Sequence, residues 1–335
     1  MAKRDFSEDW SSFFSPSTRV RRGLCPVTLQ DGLTESHALY FEQHGSGPEK
    51  MIFIMGLNST SFSWGPQVNY FAAKPQYSVL VFDNRGVGHS EAPRGPYTTK
   101  GMAEDALALL DYMGWKGERD LHIVSISLGG MIALGKQRLV ELVDRIPERV
   151  ISLLLSVTTA GARIPWWNLS PWKGTTTLAR MMLVKDPVVL TGMALEMIFP
   201  APWLDAPAEN DPQGRTNRQL KAHEIIERSR VTRKQTLQGS LSQMAAGLTH
   251  YVSPARLHKI SRSIPKIIIL TGDEDHLVAP RNSQYLKEQM PEAELIVWEK
   301  TGHALHQQWP GRYCELLERL MAEGREAVES GTFKP

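Results

Sequence analysis

Six short apolar runs decide what this chain can fold into. MIFIM (51–55), SVLVF (78–82), HIVSI (122–126), VISLLL (150–155), KIIIL (266–270) and ELIVW (294–298) have the length of strands and are rich in Val, Ile and Leu. They do not alternate apolar with polar residues. A strand with one wet face must alternate, so these runs predict strands buried on both faces, as in a parallel sheet covered by helices. Helical patterns fall between them. In 99–113, Met102, Ala106, Leu109, Leu110 and Met113 share one face, with Asp105 and Asp111 off it. Residues 128–142 and 312–321 predict two more helices. Strands alternating with helices imply an α/β fold.

The pattern lapses between about 159 and 256. No strand is predicted there. Trp166, Trp167, Trp172 and Trp203 gather in this stretch with Met181, Met182, Met193 and Met197, and prolines flank short helical segments. A linker would lack so many large apolar groups. The expectation is one α/β core made of 1–158 and 257–335, with a mostly parallel sheet flanked by helices, interrupted by a helical cap over 159–256. The tryptophans and methionines should form the core of that cap and line part of a pocket beneath it.

Composition removes several function classes. Of 335 residues, 41% belong to the hydrophobic set and 22% are charged, which excludes a disordered chain. Lys and Arg number 38 against 36 Asp and Glu, a formal charge of +2, which is unlike a dedicated nucleic-acid binder. Cys25 and Cys314 alone can build neither a disulfide scaffold nor a four-cysteine zinc site, and they fit a reducing compartment. No window approaches the roughly 18 apolar residues of a membrane span. Asp5, Glu8 and Asp9 interrupt the N-terminus where a signal peptide needs an apolar stretch. A soluble cytoplasmic protein is expected.

The sharpest local signal is HIVSISLGG (122–130), a strand running through a tight turn into a helix. It resembles the G-x-S-x-G nucleophile elbow of the α/β-hydrolase family, with Ser127 as the central serine and Ser125 in the first glycine position. A serine hydroxyl is a weak nucleophile and needs a base held in place by a carboxylate. KIIILTGDEDHLVAP (266–280) ends a strand with acids in the following loop, and ELIVWEKTGHALHQQWP (294–310) ends the next with Gly302-His303. The order Ser127, acid, His303 is that of the family. Resemblance to its G-D-x-D-x-x-V loop implies Asp275 as the acid over Asp273 and Glu274. The alternative position after the preceding strand carries no acid in 152–163.

The resemblance extends further. MGLNSTSFSW (55–64) is similar to the family's H-G-x segment, with Met55 in place of the His, and implies oxyanion donors at the backbone N–H groups of Leu57 and Leu128. Asn58 either donates to substrate or pins its loop. DNRGVGHS (83–90) matches the family's D-x-R-G-x-G-x-S, which implies that Asp83, Arg85 and Ser90 brace a loop. Gly86 and Gly88 lack the third glycine, or the G-K-S/T, of a phosphate loop. FIMGLN, DNRGVGHS and SLSQMAAGLTHYVSP (240–254) also resemble fungal members. His306, three residues after His303, and the group Asp273, Asp275 and His276 invite a metal reading. Neither group has a companion cluster at ligand spacing, so no metal or cofactor is expected. The stretch 215–234 holds seven Lys/Arg against Glu224 and Glu227. It reads as a solvated helix face on the cap.

The implied activity is a serine hydrolase that cleaves a small to medium apolar carboxylic ester or lactone through an acyl-enzyme. Asn58, Trp166, Trp167, Met181, Met197 and Trp203 are the pocket candidates. Serine at the nucleophile position argues against the epoxide hydrolases and dehalogenases of the family, which use aspartate. A C–C bond hydrolase with the same triad and an inert ligand-binding homologue are the alternatives. No nucleic-acid partner is expected.

Overall fold

A computed structural model describes residues 11–28, 35–135, 142–181, 183–209 and 211–333. Eight strands form one sheet in the order β1-β2-β4-β3-β5-β6-β7-β8. The six apolar runs are β3 (Glu49–Ile54), β4 (Tyr77–Phe82), β5 (Leu121–Ile126), β6 (Val150–Ser156), β7 (Lys266–Gly272) and β8 (Glu294–Trp298). They pair in parallel throughout. The sequence reading missed the first two strands, β1 (Arg19–Val27) and β2 (His37–His44), which join in antiparallel fashion. β1 is an edge strand with several exposed positions. β2 buries polar residues. Glu42 accepts from the Tyr40 hydroxyl at 2.5 Å and from the Ser12 hydroxyl at 2.6 Å. β1 carries no apolar run, and the four-residue run of β2, 38–41, is flanked by His37 and Glu42.

Both faces of β3 to β7 are covered, whereas β8, at the sheet edge, leaves Val297 46% exposed. Ile52, Ile54, Ile123, Leu153, Leu155, Ile267 and Ile269 pack on one side against α2 (Thr99–Tyr112), α3 (Leu128–Leu134), α10 (Pro254–Ser263) and α11 (Arg281–Gln289). Met51, Phe53, Val124, Leu154 and Ile268 pack on the other against α1 (Gly65–Ala72) and α13 (Pro310–Glu329). This inside-out alternation, apolar on both sides, explains why the runs do not alternate in sequence.

Three expectations about helices need correction. The helix predicted over 128–142 stops at Leu134, because Gly135 takes a φ of 68° that a helix cannot continue. Residues 136–141 lie outside the described part, and α4 (Leu142–Arg145) follows them. Asp105, placed off the buried face of α2, is buried: Arg85 grips it through Nε and Nη2, both at 2.6 Å, and His37 Nε2 lies 3.1 Å away. The terminal helix runs past 321 to Glu329.

Between β6 and β7 the chain is helical. α5 (Trp172–Met181), α6 (Pro187–Ile198), α7 (Ala201–Asp205), α8 (Asn217–Val231) and α9 (Leu237–Leu248) precede α10, and α12 (Leu305–Gln308) lies beyond β8. The boundary drawn at 256/257 falls inside α10, whose Leu257 and Ile260 belong to the main core. Among the described residues no helix is long and apolar enough to cross a membrane.

Candidate active site

Ser127 stands at the junction of β5 and α3. Its φ of 55° and ψ of −121° lie in a region that costs a non-glycine residue about 1–3 kcal/mol. The neighbours make this turn possible. A Cβ on Gly129 would sit 2.1 Å from the Ile54 carbonyl oxygen, so helix and strand backbones meet there without a side chain between them. Ser125 fits the other glycine position because its buried hydroxyl donates to the Leu154 carbonyl of β6 at 2.6 Å. The Ser127 carbonyl accepts from Gly130 N at 2.9 Å and from the Thr158 hydroxyl at 2.8 Å, which holds the turn from both sides.

Asp275 lies just past β7 and is buried. Its Oδ1 accepts from the backbone N–H groups of Leu277 at 2.8 Å and Val278 at 2.9 Å. Its Oδ2 meets His303 Nδ1 at 2.7 Å. Asp273 is used differently: its Oδ1 accepts from Thr301 N at 3.1 Å and ties the loop after β7 to the loop after β8. His303, also buried, follows β8. The end of α6 sits on its loop. Ala304 N donates to the Ile198 carbonyl at 3.1 Å, and a Cβ on Gly302 would meet that carbonyl at 2.5 Å. Among the described residues no hydrogen bond links the Ser127 hydroxyl to His303. All three side chains stand beyond the C-terminal ends of parallel strands, where a sheet of this kind gathers a binding crevice.

The backbone N–H groups of Leu57 and Leu128 have no partner among the described residues. The parallel pairing of β3 with β5, which sets Ile54 opposite Ser125, carries the loop after β3 alongside Ser127. Asn58 is occupied. Its N–H donates to Gln243 Oε1 at 2.9 Å, its side-chain amide to the Ser240 hydroxyl at 2.9 Å, and its carbonyl oxygen accepts from Gln235 at 3.0 Å. Of the two roles weighed for Asn58, these bonds favour pinning, in this case to α9 of the insertion. Asp83 accepts from Ser61 and from His89 N, and the Ser90 hydroxyl donates to the Asp83 carbonyl, so the 83–90 segment holds its own loop.

His306 is no second base. It is buried against Trp64 and Tyr313, and burial, with the charges of Arg228 and Lys221, pushes its pKa down to about 3. Among the described residues no three His, Cys, Asp or Glu side chains gather as metal ligands would.

The pocket candidates divide. Trp203 stacks on Phe199 at 4.8 Å, and Met181 and Met197 are half-buried. Trp166 and Trp167 are 69% and 71% exposed, so they are not core of the insertion. They lie on a single short turn with no buried residue, Pro165–Asn168. The basic stretch also departs from expectation. Arg215, Arg218 and Arg230 do face carboxylates near the surface, but Lys221 is buried and Arg228 half-buried. A cavity of about 400 Å³ opens between residues 35–37, 86–88, 90–93 and 233–236, and none of Ser127, Asp275 and His303 lines it.

An eight-stranded, mostly parallel sheet with one antiparallel strand, a strained serine between strand and helix, and an Asp–His pair past later strands define a class of protein. The family model described as the alpha/beta hydrolase fold matches residues 50–308, and the chain belongs to that family. A poly(3-hydroxyalkanoate) depolymerase of Ectopseudomonas oleovorans is 28% identical over 229 residues, 68% of this chain and 69% of the relative. A thermophilic esterase from Thermogutta terrifontis superposes with a TM-score of 0.65 at 20% identity, covering 91% of this chain and 99% of the esterase. The enol-lactonase from Burkholderia xenovorans LB400 superposes with a TM-score of 0.63 at 18% identity, covering 89% and 99%.

Proposed function

We propose that the protein is a serine hydrolase acting on a carboxylic ester or lactone, with Ser127 as nucleophile, His303 as base and Asp275 as the group that orients it. The observation that carries this reading is the 2.7 Å contact between His303 Nδ1 and a buried carboxylate whose other oxygen is already held by two backbone N–H groups. That arrangement fixes the imidazole with Nδ1 as donor and leaves Nε2 to take a proton. The esterase, lactonase and depolymerase among similar proteins support the substrate class.

Ser127 Oγ attacks the acyl carbon while His303 Nε2 takes its proton. Asp275 stabilises the resulting imidazolium without being protonated. The oxyanion lies against the unpartnered N–H groups of Leu57 and Leu128. His303 returns the proton to the leaving alcohol, and an acyl-enzyme remains on Ser127. Water, deprotonated by the same imidazole, releases the acid. A Ser–His hydrogen bond forms as substrate is bound, since such bonds are often long in the free enzyme. The helical segment between β6 and β7 would act as a cap over this crevice.

A fluorophosphonate probe tests the assignment. Stoichiometric labelling of the folded protein is expected, with none in Ser127→Ala. A folded protein that stays unlabelled overturns the reading in favour of an inert binding homologue. Graded acyl esters and lactones then define the substrate. Activity confined to vinylogous diketones would move the assignment to C–C bond hydrolysis.

A further inference from the structure

We propose that α8 carries a carboxylate-binding site formed by Arg228 with Lys221, so that the substrate is an ester bearing a second, anionic group rather than a wholly apolar one. The inference rests on the hydrolase reading above for the word substrate, but not for the site itself.

The helix faces the histidine loop. Ala222 and Ile225 pack against the cluster of Leu195, Phe199, Leu204 and Ala304, and Ala304 is the residue after His303. Residues 221, 225 and 228 recur at helical spacing, one turn apart, so Lys221 and Arg228 flank Ile225 on this same face. Both cations act on the buried His306 just beyond, where their charges disfavour its protonation.

The charges on this face do not balance. Lys221 Nζ meets both oxygens of Glu224, at 3.0 and 2.9 Å. Arg228 then has no hydrogen bond or ion pair of its guanidinium among the described residues. Burial lowers its pKa, and the charge of Glu224, already engaged by Lys221, opposes that. Two cations and one carboxylate leave a single positive charge uncompensated. The contrast with its neighbours is informative. Arg218 lies 2.9 Å from Asp205, Arg230 2.6 Å from Glu227 and Arg215 2.6 Å from Asp211. Carboxylates stand against these three surface arginines and, among the described residues, none pairs with the half-buried Arg228. None of its nitrogens is among the buried unpartnered side-chain atoms, so the guanidinium of this half-buried residue reaches solvent and is open to an anionic ligand. The planar guanidinium fork matches a carboxylate in two parallel hydrogen bonds.

The experiment uses the full chain carrying Ser127→Ala and the monomethyl esters of the straight dicarboxylic acids from succinic to suberic, each compared with its neutral dimethyl ester by calorimetry. At least one monoester is expected to bind about tenfold or more tightly than its diester, and adding Arg228→Gln should abolish that preference. Equal binding of every pair overturns the proposal, as does a preference that survives Arg228→Gln. Melting of the ligand-free protein checks the fold: the Tm of Arg228→Gln should stay within about 2 °C of the wild type, and a larger fall would make the arginine a residue of the fold and overturn the proposal. Fluorophosphonate labelling of the wild-type chain keeps the two ideas separate. Labelling without a monoester preference overturns the anion site alone. An Arg228-dependent preference in an unlabelled protein overturns the hydrolase alone.

Discussion

The sheet and the helical insertion use similar residues under different rules. In β3 to β7 an apolar residue is a buried one: Ile52, Phe53, Val81, Ile123, Leu154 and Ile268 are all fully covered. In the insertion Trp172 and Leu183 are both 83% exposed, and Val188 78%. The sheet is held by packing on two faces. The insertion is attached to it by hydrogen bonds between Ala304 N and the Ile198 carbonyl and between Ser240, Gln235 and Gln243 and the loops after β3 and β4, and by Ala246 and Val252, which join the main core.

The largest expected effect is in the sheet. Leu154→Ala removes a fully buried side chain between β5 and β7 and should destabilise the protein by about 2–5 kcal/mol, read from urea denaturation. A loss well under that range would mean the sheet is no better packed than the insertion, and the contrast would fail.

A contact between the regions comes next. Gln243 is buried, accepts from Asn58 N and donates to the Arg85 carbonyl at 2.7 Å. Gln243→Ala leaves both groups unpaired and should cost about 1–3 kcal/mol. Because Asn58 follows Leu57, kcat should fall more than KM rises. Unchanged turnover would separate α9 from the geometry of the oxyanion loop.

His306 gives a pH test of the same coupling. Its folded pKa of about 3 lies below the ordinary 6.5, so below 6.5 the unfolded chain binds more protons than the folded one. Stability is fully present above that value and is lost as pH falls, by at most about 1.4 kcal/mol per pH unit. The urea midpoint should drop between pH 7 and pH 5, and His306→Gln should flatten the drop. An equal drop in the variant would assign it to other groups.

What the sequence made legible follows the same divide. β3 to β7 were readable because burial on both faces writes itself into composition, and β8 because its run is apolar although it is only partly buried. The placing of Ser127, Asp275 and His303 past strand ends was readable because each follows an apolar run in wording the family shares. β1 was hidden by its exposed edge, and β2 by the buried polar residues His37, Glu42 and His44 that flank its short apolar run. Lys221 and Arg228 were hidden because helical periodicity shows which residues share a face, not what covers it. Seven cations in twenty residues look solvated until Ala222 and Ile225 are found packed against Ala304.

The exposed tryptophans supply the smallest effect and the most direct contrast with the first. Trp172→Ala removes a larger side chain than Leu154→Ala does. Little of it leaves a packed environment, since 83% of the residue is already in water. The transfer free energy of burial applies only to area removed from water on folding. The substitution should therefore change stability by no more than about 0.5 kcal/mol, within the range of ordinary surface changes. A cost above about 2 kcal/mol would show that α5 packs its tryptophan in solution. It would then join Leu195, Phe199 and Leu204 among the packed residues of the insertion, governed by the same rule as the sheet.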